Sequence, residues 1–127
     1  MELTSRQAKR LLVGVAGNDV VGPPTANQDV TVLDLPEVPA DVSRVTFAVI
    51  SDQNGAASGV VFECNFSKGD TNYDTIQSAT YATSTGLQIY DCPRVGVGMR
   101  IRFKGSATPP SVWRGEVRLH RDRANAL

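Results

Sequence analysis

Apolar and polar side chains alternate one for one along several short stretches of this chain, and each stretch ends in turn-forming residues. From Gly96 to Lys104, Val97, Met99, Ile101 and Phe103 alternate with Gly98, Arg100, Arg102 and Lys104. From Val112 to Arg121, Trp113, Gly115, Val117 and Leu119 fall on one face and Arg114, Glu116, Arg118 and His120 on the other. Arg44 to Ser51 sets Val45, Phe47 and Val49 on one side, and Gly59 to Phe66 does the same with Val60, Phe62, Cys64 and Phe66. A period of two is that of a strand with one buried face. Asp29 to Leu35, Tyr73 to Ala79 and Gly86 to Tyr90 read as further strands, with Tyr81 to Thr83 ambiguous. Asp52-Gln53-Asn54-Gly55 and the segment around Gly69 supply turns, and Gly105 to Ser111 is a loop of hairpin size between the last two strands. Seven or eight such strands without any βαβ pattern predict an all-β fold, an antiparallel β-sandwich or jelly roll.

The beginning of the chain is different. Thr4 or Ser5 suits the cap of a short helix through Leu12, with Leu3, Ala8, Leu11 and Leu12 as its apolar stripe. An extended arm that orders on binding fits the same residues. Gly14, Gly17, Gly22, Pro23 and Pro24 then interrupt any long element, so residues 1–22 are expected as an N-terminal arm and 23–127 as the sandwich domain. At 127 residues, with 41% hydrophobic and 20% charged side chains, the chain is suited to one folded core. Its apolar runs fall short of the ~18 residues that a membrane span requires, so no membrane partner is expected. Lys9 and Arg10 precede a short apolar run with no small-residue cleavage site after it, which predicts synthesis in the cytoplasm.

Formal charge is zero but segregated. Residues 19–91 hold ten acids against Arg44 and Lys68, whereas residues 92–127 and 1–18 are basic. Two readings follow: strands distant in sequence interleave and cancel locally, or a basic face meets an acidic partner. If the last two strands pair, Arg100, Arg102 and Lys104 lie beside Arg114 and Arg118 on one face, a candidate partner-binding surface. Nucleic acid is disfavoured by zero net charge and 6% aromatics with no stacking pattern.

Catalytic chemistry finds little to work with, and no catalytic residue, metal site or cofactor is expected. His120, the single histidine, sits on a polar strand face and reads as a solvated side chain. Cys64 lies on an apolar face and reads as a small buried hydrophobe; whether it pairs with Cys92 stays open. Asp70-Thr71-Asn72-Tyr73-Asp74 opens like a calcium loop, but Thr75 and Tyr81 stand where glycine and the bidentate acid belong. A turn in which Asp and Asn bond their own backbone is the simpler reading.

The stretch Val61 to Ile76 (VFECNFSKGDTNYDTI) is similar to a strand-turn-strand segment of small β-sandwich proteins in tailed-phage particles. The resemblance spans residues 44–121, and the alternating last strand and the distinct N-terminus belong to it. It implies a non-enzymatic virion structural protein, a capsid decoration or cement protein or else a tail accessory domain. It further implies a homotrimer that binds the major capsid protein or another virion protein. Residues 1–22 would grip the shell, through Leu3, Leu11 and Leu12 by apolar burial and through Arg6, Lys9 and Arg10 by charge. Carbohydrate-binding sandwiches share the same stretch, and that alternative requires an exposed aromatic shelf from Tyr73, Tyr81, Tyr90 or Trp113.

Overall fold

The computed structural model describes residues 8–13 as strand backbone and, in full, residues 24–52, 59–81 and 87–120. The described residues form β1 (Ala8–Val13), β2 (Val30–Leu35), β3 (Arg44–Ser51), β4 (Gly59–Asn65), β5 (Asp74–Thr80), β6 (Gln88–Cys92), β7 (Gly98–Lys104) and β8 (Trp113–His120). They build two four-stranded antiparallel sheets, ordered β1-β8-β3-β6 and β2-β7-β4-β5. The first strand pairs with the eighth, the second with the seventh, the third with the sixth and the fourth with the fifth. That is one long antiparallel hairpin rolled up, closed by β3–β8 and β4–β7 pairing. The fold is a jelly roll.

Rolling puts β7 and β8 into different sheets, so the pairing on which the single basic face of Arg100, Arg102, Lys104, Arg114 and Arg118 depended does not form. The segment between β7 and β8 is therefore a crossing from one sheet to the other, and Asp52 anchors it. Its carboxylate accepts the Ser111 and Val112 amides at 2.9 and 3.0 Å and the Ser111 hydroxyl at 2.6 Å. At the N-terminus, the helix reading gives way to extended backbone: Ala8–Val13 is an edge strand, in register with Gly115–His120 of β8.

The core forms where the inward alternation of both sheets meets. Val45, Phe47 and Val49 of β3 and Val117 and Leu119 of β8 pack against Val60 and Phe62 of β4 and Met99, Ile101 and Phe103 of β7. Phe103 is the hub of the aromatic packing: Phe47, Tyr81 and Trp113 meet it edge-on with centroids 6.5, 5.2 and 5.0 Å away. The β4 strand is buried along its whole length, against the alternating expectation. Its outward Glu63 is covered by arginines from β7, and its outward Asn65 is folded into the following turn. Phe66 departs from the inward row predicted for it: β4 ends at Asn65, and the Phe66 ring is 70% exposed. Cys64 and Cys92 are both buried free thiols. Among the described residues no helix is long and apolar enough to cross a membrane.

Candidate functional site

Because β7 and β8 belong to opposite sheets, the basic residues form two groups on opposite faces of the molecule. On the β2-β7-β4-β5 face, Arg100 and Arg102 converge on Glu63. Arg100 Nε donates to Glu63 Oε1 at 2.9 Å, and Arg102 holds the same carboxylate through two parallel bonds of 3.0 and 3.1 Å. Arg102 also reaches Asp29 at 2.8 Å. Burial acts to raise the Glu63 carboxyl, but hydrogen bonds and charge from Arg102 and Arg100 outweigh it and hold the group below its ordinary value. The Arg102 guanidinium is in turn pushed up, chiefly by its hydrogen bond to Glu63. Acidic middle segment and basic end segment thus cancel inside one chain at these pairs, as the interleaving reading expected. Lys104 is exposed beyond them.

On the β1-β8-β3-β6 face, Arg114 and Arg118 of β8 are exposed. Arg118 donates to Glu116 at 2.6 Å, and Arg44 donates to Asp91 at 3.1 Å. His120 is not simply solvated: its Nε2 lies 2.8 Å from Thr46 Oγ1. Between these polar groups runs an apolar patch that sequence reading missed. Ile89 is 64% exposed and stands opposite Ala48, and Leu87, 58% exposed, precedes the same strand. Ile50, half-buried and facing outward like Ala48, continues it. The signal was present in the outward residues of RVTFAVIS, where alanine and isoleucine follow Arg44 and Thr46.

A second feature lies at the end of the sandwich where the β2–β3, β4–β5 and β6–β7 connections gather. Val38 and Val97 amides donate to Val97 and Asn65 carbonyls at 2.7 and 3.1 Å, tying the three together. Asn65, almost wholly buried, accepts the Gly98 amide at 2.6 Å and donates to the Asp70 carbonyl at 2.9 Å. Gly69 turns the chain with a φ of +81°, a conformation costly for other residues. A shallow cleft of about 280 Å³ opens there, lined by Asp34, Pro36, Asn65, Gly69, Asp70, Thr71, Tyr73 and Arg100. The Arg100 guanidinium lies 4.3 Å from the centre of the Tyr73 ring. Pro36 and Tyr73, which line the cleft, also crowd Gly98, where a Cβ would meet the Pro36 carbonyl and the Tyr73 hydroxyl at 2.9 Å. Residues singled out for separate reasons, the calcium-like string, the basic strand and one tyrosine, are here brought together.

The string itself is a turn, with Asp70 Oδ1 accepting the Asn72 amide at 2.9 Å. Among the described residues no three metal-binding side chains converge. Of the aromatic shelf candidates, Tyr81 is buried and bonded to the Ser51 backbone, while Trp113 and Tyr90 pack against the core. Tyr73 borders the cleft described above. Of the arm residues, Lys9, Arg10, Leu11 and Leu12 belong to β1, and Leu3 and Arg6 lie outside the described residues. Comparison with protein-family models gives no match, and comparison with curated proteins gives none.

Proposed function

We propose that this chain is a non-enzymatic virion structural protein, a capsid decoration or cement protein that adds to an assembled tailed-phage shell. The observation that carries the reading is the apolar patch of Ala48, Ile50, Leu87 and Ile89 on the outer face of the β1-β8-β3-β6 sheet. Such a patch, rimmed by charges such as Arg44, Asp91 and Arg114, is the composition of a protein-binding surface. Residues 8–13 form the far edge of the same sheet, so this part of the segment read as a shell-gripping arm shares a layer with the patch. A ligand that binds only the assembled state stabilises it by its binding free energy, and burying apolar area contributes about 25 cal/mol per Å² toward it. The major capsid protein is the proposed partner, and a trimer is the proposed form on the shell.

Cosedimentation of the purified chain with shells of its source phage tests the reading. The chain is expected to pellet with shells and to saturate, and Ile89→Lys and Leu87→Lys to remain in the supernatant while keeping the native circular dichroism spectrum. Wild-type chain that stays in the supernatant at saturating concentration overturns it.

A further inference from the structure

We propose that the cleft between the β2–β3, β4–β5 and β6–β7 connections binds a neutral, hydroxyl-rich ligand the size of one sugar residue. This site is on a different surface from the apolar patch and does not depend on the virion reading. Its construction is rigid: the buried Asn65 amide bridges the Gly98 amide and the Asp70 carbonyl, so the walls are held before any ligand arrives. Its polar groups are of both kinds. Arg100 uses Nε on Glu63 and its flat face on Tyr73, which leaves its terminal nitrogens without a hydrogen-bond partner among the described residues. The Asp34 side chain has no hydrogen bond or ion pair among the described residues, and one oxygen of Asp70 is committed to Asn72.

Electrostatics narrows the ligand class. An anion drawn to Arg100 would face the carboxylates of Asp34 and Asp70, and a cation drawn to them would face Arg100. A polyol suffers neither conflict, because each hydroxyl both donates, here to a carboxylate, and accepts, here from the guanidinium. The Pro36 and Tyr73 rings supply apolar surface for C–H groups. At about 280 Å³ the cleft is at the lower limit of small-molecule sites, which fits one residue and not an extended chain.

Nitrogen–proton correlation spectra of the full chain, titrated with the methyl glycosides of glucose, galactose, mannose and N-acetylglucosamine at millimolar concentration, test this. At least one is expected to give saturable shifts at the amides of Gly69 to Tyr73 and Gly98 to Arg100. Asp34→Ala, at an exposed side chain with no ion pair among the described residues, is expected to weaken that binding ~10-fold or more with the rest of the spectrum unchanged. Tyr73→Leu provides a second, independent loss. The proposal fails if no glycoside gives saturable shifts at the cleft, or if affinity is unchanged in both variants. It fails equally if phosphate or methylguanidinium moves the same amides at lower concentration than every glycoside.

Discussion

Arg102 grips Glu63 in a two-pronged bond, Nε to Oε1 at 3.0 Å and Nη2 to Oε2 at 3.1 Å, between neighbouring strands of one sheet. Arg100 closes on the same carboxylate from the same strand. Two cations on β7 are thus neutralised largely by one buried acid on β4. Glu63→Ala would leave both guanidinium groups without it. The expected loss is about 2–3 kcal/mol, below the 3–5 kcal/mol of a fully buried pair because both arginines are partly solvated. Urea denaturation of the two proteins measures it.

The same pair sets an acid dependence. Glu63 is held below its unfolded value, so its contribution is full above that value, near 4.5, and is lost as pH falls through the folded one. Stability followed by urea midpoint is expected to fall on acidification below about pH 4.5, and Glu63→Gln to flatten that limb. An acid limb of equal steepness in the variant assigns the effect to other carboxylates.

At the alkaline side the sign reverses. Burial, with a smaller effect of Tyr81, pushes the Tyr90 hydroxyl up to about 12, and its oxygen is buried without a hydrogen-bond partner among the described residues. A group raised on folding contributes stability below its unfolded value, about 10, and loses it as pH climbs toward the folded one. Tyr90→Phe is expected to be at least as stable as wild type at neutral pH and to lose less stability between pH 10 and 12, measured by thermal melts.

Phe103 has no exposed surface and three aromatic neighbours, Phe47 and Trp113 from the opposite sheet and Tyr81 just after β5. Phe103→Ala is expected to cost about 3–5 kcal/mol and to erase most of the near-ultraviolet circular dichroism. Ile89→Lys, on the solvated face, is expected to stay within about 0.5 kcal/mol of wild type. That contrast separates loss of shell binding from loss of fold.

Burial raises both thiols, with Asp74 adding to the effect at Cys64. Ellman's reagent is therefore expected to react slowly with the native chain and quickly in denaturant, with both cysteines titrating as free thiols. Fast reaction of one thiol in the native protein would place it outside the core.

How much of this was legible in the chain varies residue by residue. The inward rows Val45-Phe47-Val49 and Met99-Ile101-Phe103 are visible because side-chain direction in a strand alternates strictly, whatever the neighbours. Phe66 broke the pattern because alternation does not mark where a strand ends, and β4 stops one residue earlier at Asn65. The Glu63 cluster and the cleft were not legible as units. Asp29 with Asp34, Glu63, Tyr73 and Arg100 come from four separate stretches of the chain, and nothing local links those stretches.

From the sequence alone came β2 to β8, most of their buried faces, an all-β sandwich or jelly roll and the charge split, since each depends on spacing or composition along one stretch, whereas β1 reads there as a helix or an arm. Only the tertiary structure decided that β7 and β8 part into opposite sheets, so that one expected basic face became two, and that an apolar patch stays outward on β3 and β6. Strand adjacency is a long-range choice. It follows from rolling the whole hairpin so that all inward rows meet in one core, and no single segment carries that information.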